Sequence, residues 1–128
     1  MEDTSLNKKK ILVVDDDPQV FRIISRLLSH QYQLETAGDG IEAIQKIKYY
    51  QPHLLILDLM MPGMSGLEVC KTVKKNGAEA IQILMLSAKD AQVDRRTCLE
   101  MGADDFETKP FHIASLMRKI HYMLEKAS

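Results

Sequence analysis

Short unbroken apolar runs alternate along the chain with longer stretches in which apolar residues return every three to four positions. Ile11-Leu12-Val13-Val14 is rich in branched side chains and carries no polar residue, as expected of a strand buried on both faces of a parallel sheet. It stops abruptly at Asp15-Asp16-Asp17. Pro18 stands where a helix opens without losing a needed N–H, and Val20, Ile23, Ile24, Leu27 and Leu28 follow as its inward stripe. Residues 32–37 predict a second strand. Asp39-Gly40 reads as a turn and cap, and Ile41, Ala43, Ile44 and Ile47 as the inner stripe of a second helix that Pro52 stops. Leu54-Leu55-Ile56-Leu57 predicts a third strand, again ending on a carboxylate, Asp58. Gly63 and Gly66 bracket a loop before a helix carrying Leu67, Val69, Cys70 and Val73, which closes near Asn76-Gly77. Residues 81–86 predict a fourth strand ending at Ser87, residues 91–101 a fourth helix stopped by Gly102, and residues 103–106 a short fifth strand. Ile113, Leu116, Met117, Ile120 and Leu124 line one side of a final helix that runs almost to Ser128.

Five strands alternating with five helices, joined by connections too long for hairpins, imply right-handed crossovers and a parallel sheet covered on both faces. The fold class is therefore α/β. At 128 residues and 45% hydrophobic content the chain can bury one core, and no second domain, repeat or low-complexity segment interrupts it. Lys plus Arg number 17 against 18 Asp plus Glu, a net charge of -1, which gives no electrostatic reason to expect nucleic acid or an anionic membrane as partner. Cys70 and Cys98 fit no metal-ligand spacing and read as free thiols in helices. Residues 1–8 form a polar, flexible lead, the Lys8-Lys9-Lys10 run is a solvated approach to the first strand, and residues 9–127 are the folded domain. With no apolar run of about 18 residues, a soluble cytoplasmic protein is expected.

Ligands of open parallel sheets bind outside the carboxyl ends of the strands. Strand one ends in Asp15 and Asp16, strand three in Asp58 and strand four in Ser87, and Lys109 follows strand five within a few residues. Singly, each has an ordinary structural role as a helix cap, a strand end or a solvated lysine. Together, three carboxylates, a hydroxyl and an ammonium at one sheet edge exceed what capping requires. Carboxylates about 4 to 5 Å apart repel by roughly 3 to 4 kcal/mol per pair at an effective dielectric of about 20, so a cation is expected among them. Oxygen donors without His or Cys favour a hard divalent ion, and Mg²⁺ keeps positions open for water and phosphate oxygens. Such an ion makes one carboxylate a plausible phosphoryl acceptor, with Lys109 neutralising another phosphoryl oxygen.

Four segments, Ile11 through Pro18, Asp58-Leu59-Met60-Met61-Pro62-Gly63-Met64-Ser65-Gly66, Leu86-Ser87-Ala88, and Gly102 through Phe111, resemble in order the signatures of the response-regulator receiver family, across residues 10–125. The resemblance implies a flavodoxin-like doubly wound sheet of order 2-1-3-4-5 flanked by five helices. It implies Asp58 as phosphoacceptor, Asp15, Asp16 and Asp58 with the backbone carbonyl of Met60 as Mg²⁺ ligands, and Ser87 and Lys109 as phosphoryl contacts, while Asp17, where the family varies, reads as a cap on the first helix. It implies Phe106 as the aromatic switch, with small Ala88 leaving room for the ring, and a cis Lys109-Pro110 peptide. Phosphate would come from a sensor histidine kinase or a histidine phosphotransfer protein. The response would pass from the face of helix 4, strand 5 and helix 5 to an output domain or partner, with Lys89, Arg95, Arg118 and Tyr122 as candidate contacts. Neither nucleic acid nor membrane is expected to touch this domain, and a phosphorylation-dependent homodimer is one arrangement the resemblance allows. The domain would be a switch rather than an enzyme, with self-dephosphorylation as its only turnover.

Three other readings compete. A flavodoxin-like cofactor binder needs a Ser, Thr or Gly loop after strand one, where this chain has aspartates. An aspartyl-intermediate phosphatase commonly carries a second acid two residues past its nucleophile, where Met60 stands. A receiver-like scaffold unable to accept phosphate would lack at least one of the site residues.

Overall fold

The computed structural model describes residues 8–76, 80–88 and 95–127. Its elements alternate as β1 (Lys10–Val14), α1 (Pro18–Leu28), β2 (Gln33–Ala37), α2 (Gly40–Tyr50), β3 (Leu54–Asp58), α3 (Gly66–Lys75), β4 (Gln82–Ala88), α4 (Arg95–Glu100), β5 (Asp105–Lys109) and α5 (Ile113–Lys126). The strands form one sheet of order β2-β1-β3-β4-β5 in which every neighbouring pair is parallel. This is the flavodoxin-like arrangement, and β1 and β3 flank the point where the strand order reverses.

The pleat sorts the apolar runs between two cores. Leu12, Val14, Leu55, Leu57, Ile83 and Met85 face the layer of α2, α3 and α4. Ile11, Val13, Leu54, Ile56, Leu84 and Leu86 face α1 and α5. All twelve side chains are fully buried, and each such burial stabilises the fold by about 1.5 to 3 kcal/mol.

Helix starts follow the sequence closely. Asp17 caps α1 by accepting from the Gln19 N–H at 3.0 Å, with Pro18 in the first turn, and Asp39 caps α2 through the Glu42 N–H at 2.8 Å. Ser65 caps α3 through the Glu68 N–H at 3.3 Å, a role that the Ser-x-x-Glu spacing signals. Gln51, in the left-handed region at φ 52°, ends α2 just before Pro52.

Several expectations need correction. On α1 the buried line is Val20, Ile24 and Leu28, while Ile23 and Leu27, one step round the helix, are exposed. Ile41 and Ile113 are likewise exposed, each standing at a helix start beyond the reach of the sheet. β4 continues through Ser87 to Ala88, and β5 runs over residues 105–109 rather than 103–106, so Lys109 closes a strand instead of following one. Ser87 pairs with Thr108 and Ala88 with Lys109. Within the lysine run, Lys9 and Lys10 are not a solvated approach. Lys9 Nζ donates to the carbonyls of Leu124 and Ala127, and Lys10 Nζ to that of Tyr50 at 3.2 Å, meeting acceptors left free at helix C-termini. Both cysteines are buried and form no disulfide among the described residues. Gly77, Lys89, the first four residues of the expected fourth helix and residues 1–7 of the expected lead lie outside the described residues.

Candidate functional site

β1 and β3 are held in register by backbone hydrogen bonding, and both emerge from the core at the same edge, carrying Asp15 and Asp58 with them. Asp15 and Asp58 are each only 5% exposed, whereas Asp16 stands in solvent. One carboxylate oxygen from each of the three lies within 4.8 Å of the others. Asp15 Oδ1 accepts from the Asp17 N–H at 2.9 Å, and Asp58 Oδ1 from the Met60 N–H at 3.4 Å, so both acids are aimed by the loops that follow them.

The loop after β3 is fixed by close backbone packing. The Leu59 N–H donates to the Leu86 carbonyl at 2.8 Å and the Gly66 N–H to the Leu59 carbonyl at 3.0 Å. A Cβ on Gly66 would lie 2.3 Å from the Asp58 carbonyl oxygen and 2.8 Å from Leu59 Cα. Only glycine lets α3 begin against the main chain of Asp58. Sequence reading placed Gly66 merely at a loop end. The requirement comes from a tertiary contact that local sequence does not encode.

Lys109 reaches in from β5. Its Nζ is 2.6 Å from Asp15 Oδ2 and 3.5 Å from Asp58 Oδ1. Burial alone would depress the ammonium, but the hydrogen bond and charge of Asp15, with those of Asp58, raise its pKa above the ordinary lysine value. Burial and the neighbouring Asp15 push Asp58 up to about 6 despite the opposing pull of Lys109 and the Met60 N–H. A single ammonium therefore leaves excess negative charge in the pocket. Three oxygen donors within reach of one point, crowded enough to raise an acid, fit a hard divalent cation such as Mg²⁺.

Ser87 is 1% exposed, and its hydroxyl donates to the Ala88 carbonyl at 3.3 Å. Phe106 is half-buried against the core that underlies α2, α3 and α4. Its register partner is Met85, while the half-buried Ala88 pairs with Lys109. The Lys109-Pro110 peptide is cis, as expected. Of the candidate contacts on the α4, β5 and α5 face, Arg95, Arg118 and Tyr122 are exposed, and Arg95 sits 3.7 Å from Asp105.

One cluster on that face was missed. Glu107 is a buried acid on β5 whose Oε2 takes the Ser115 hydroxyl at 3.1 Å and the Lys119 ammonium at 3.0 Å. Lys119 Nζ also donates to the Phe106 carbonyl at 2.6 Å, tying the main chain of Phe106 to α5. The Ser115 and Lys119 spacing of four along a helix is a usable signal, but only once Glu107 is known to lie in a strand. Asp104 was missed too. It accepts from the Ile83 N–H at 2.8 Å and pins the start of β5 to β4.

No helix among the described residues is long and apolar enough to cross a membrane. The family model of the response regulator receiver domain matches residues 11–121. The chain is 43% identical to the probable transcriptional regulator ycf27 of Cyanophora paradoxa over 94% of this chain and 50% of that protein. It is 39% identical to the alkaline phosphatase synthesis transcriptional regulatory protein PhoP of Bacillus subtilis (strain 168), over 93% of this chain and 50% of that one. The chain thus spans about half the length of these curated relatives. A crystal structure of a putative response regulator from Chloroflexus aurantiacus J-10-fl superposes with a TM-score of 0.85 at 32% identity, covering 92% of this chain and 98% of that one. With strand order, acidic strand ends and sequence in agreement, the chain belongs to the response regulator receiver domains, the phosphorylated switch modules of two-component signalling.

Proposed function

We propose that Asp58 is the phosphoacceptor of a Mg²⁺-dependent switch. The observation that carries this reading is a buried carboxylate whose oxygen lies within 4.8 Å of oxygens from Asp15 and Asp16 and 3.5 Å from the Lys109 ammonium. Asp15 and Asp16, with the backbone carbonyl of Met60, would hold the ion, and Asp58 would complete its protein ligands. When bound, Mg²⁺ screens the charge between the attacking carboxylate and the incoming phosphoryl oxygens.

The donor is a phosphohistidine on a sensor kinase or a phosphotransfer protein. An Asp58 oxygen forms the new O–P bond as the N–P bond breaks, and the imidazole leaves with its electron pair. Lys109 pairs with one phosphoryl oxygen, and its attachment to Asp15 holds it in position beforehand. Ser87 turns from the Ala88 carbonyl to a second phosphoryl oxygen. That movement draws Ala88 inward and gives Phe106 room to rotate. The phenylalanine has no hydroxyl to hold either position, so packing alone decides between them. The altered face is that of α4, β5 and α5, with Ala88 and Phe106 as its moving parts and Arg95, Arg118 and Tyr122 as partner contacts. A homodimer through this face on phosphorylation is one form of the output.

Residues 9–127 make up the switch, and residues 1–8 lead into it. The two named relatives are transcriptional regulators of about twice this length, which supports control of an attached or separate output module in the cytoplasm. The domain itself contacts neither nucleic acid nor membrane. It turns over no external substrate, and hydrolysis of its own acyl phosphate returns it to the resting state.

Incubation with Mg²⁺ and a small phosphoryl donor tests this reading by intact mass. One phosphoryl group should add to the wild type and none to Asp58→Asn. A stoichiometric phosphoprotein that survives this substitution would overturn the assignment.

A further inference from the structure

We propose that Met60 is a modification site for hydroperoxides, and that its conversion to the sulfoxide shortens the life of the phosphoryl group on Asp58. The proposal rests on Asp58 as phosphoacceptor and adds a redox input to that same site.

Selectivity comes from exposure. Met60 is 65% exposed, whereas Met61, Met85 and Met123 are buried and Met64, Met101 and Met117 are half-buried. Thiols that could intercept the oxidant are shielded. Cys70 and Cys98 are both fully buried, and burial pushes Cys70 up to about 11, which keeps it in the unreactive protonated form. Met60 is therefore the most accessible reduced sulfur among the described residues.

Position supplies the consequence. The Met60 N–H donates to Asp58 Oδ1 at 3.4 Å, so the thioether hangs from a main chain already fastened to the phosphoacceptor. In the reaction a lone pair on sulfur attacks the terminal peroxide oxygen and the O–O bond breaks. Sulfur gains one oxygen and is oxidised by two electrons, and the peroxide is reduced to water or an alcohol. A flexible apolar side chain, exposed and two residues along from Asp58, becomes a polar one carrying a strong hydrogen-bond acceptor. Such an acceptor retains and orients water beside the acyl phosphate, the reactant its hydrolysis needs. Methionine sulfoxide reductases reverse the change, so the input can be cleared.

The test uses the 128-residue chain treated briefly with hydrogen peroxide and mapped by peptide mass. Met60 should acquire oxygen before the other described methionines. The treated protein, phosphorylated by a small donor with Mg²⁺, should then lose its phosphoryl group faster than untreated protein by about threefold or more. Sulfoxide reductase should restore both mass and lifetime, and Met60→Leu should show the same lifetime with and without peroxide. Earlier oxidation of another described methionine would overturn the proposal, as would an unchanged lifetime once Met60 is oxidised. If untreated protein took up no phosphoryl group at all, the Asp58 reading would fall and the lifetime effect with it, while the peptide map would still report whether Met60 is the selective target.

Discussion

Lys109 binds Asp15 more closely than it binds Asp58, at 2.6 Å against 3.5 Å. The ammonium therefore occupies charge that a divalent ion held there would also need, and the two cations would compete for Asp15. Removing the lysine as Lys109→Met should tighten Mg²⁺ binding by about tenfold, since one positive charge a few ångströms away is worth more than 1 kcal/mol even at an effective dielectric of about 20. Phosphorylation should fall in the same variant. Calorimetric titration with Mg²⁺ checks this, and weaker or unchanged binding would show that Lys109 does not oppose the ion.

Mg²⁺ should also stabilise the fold by relieving repulsion among Asp15, Asp16 and Asp58. At about ten times Kd the gain is about 1.4 kcal/mol, visible as a higher melting temperature. Asp16→Ala should lose most of it. Identical melting of wild type with and without excess Mg²⁺ would rule out the acidic pocket as a metal site.

Asp58→Asn should make the resting domain more stable near neutral pH. The carboxyl of Asp58 lies at about 6 in the folded chain against an ordinary 3.8, so folding favours the protonated form. The site imposes no cost well below pH 4, where both states are protonated, and its cost grows as pH rises from about 4 and is complete above about 6. At about 1.4 kcal/mol per unit this amounts to roughly 2 to 3 kcal/mol at pH 7.5 without Mg²⁺. Urea unfolding of both proteins at about pH 7.5 and about pH 3.5 should show a stabilised variant only at the higher pH. A variant less stable than wild type at neutral pH would contradict the buried-charge argument.

Gly66→Ala should destabilise the domain by about 2 to 3 kcal/mol, because the new methyl meets backbone atoms that cannot rotate away. The shift falls on Asp58 itself, so phosphorylation by a small donor should slow as well. A Gly66→Ala protein with wild-type melting temperature and wild-type phosphorylation rate would show that the loop can absorb the contact.

Lys119→Met should cost about 2 to 3 kcal/mol by leaving Glu107 charged, buried and held only by Ser115. A companion Glu107→Leu substitution in the same chain should recover much of the loss. Chemical denaturation of the single and double variants decides the matter. If the single variant were as stable as wild type, the Glu107 and Lys119 pair would be a surface contact and not a tie between β5 and α5.

The central strands were legible because burial on both faces leaves only apolar residues in them. A run such as Leu54-Leu55-Ile56-Leu57 therefore ends visibly where a carboxylate, Asp58, closes the strand. Three of the site's acids were found that way. β5 was misplaced because it is an edge strand. Glu107 and Thr108 break its apolar pattern, and Glu107 is tolerated inside only through partners on α5 that lie eight and twelve residues ahead. The exposed Ile23, Leu27, Ile41 and Ile113 satisfy helical spacing as well as buried residues do, and only the position of the sheet separates the two sets. Lys9 looked solvated because its carbonyl partners lie more than a hundred positions away.

That clasp has a mechanical meaning. Lys9 leads into β1, and the carbonyls it holds belong to the last turn of α5 and to Ala127, so the two ends of the folded chain share one pole of the sheet. The acids stand at the opposite pole, one strand length away, about 16 Å for five residues. If Asp58 takes the phosphoryl group as proposed, a module tethered beyond Ala127 would hang at the end of the domain remote from that chemistry, with α5 running between the two poles.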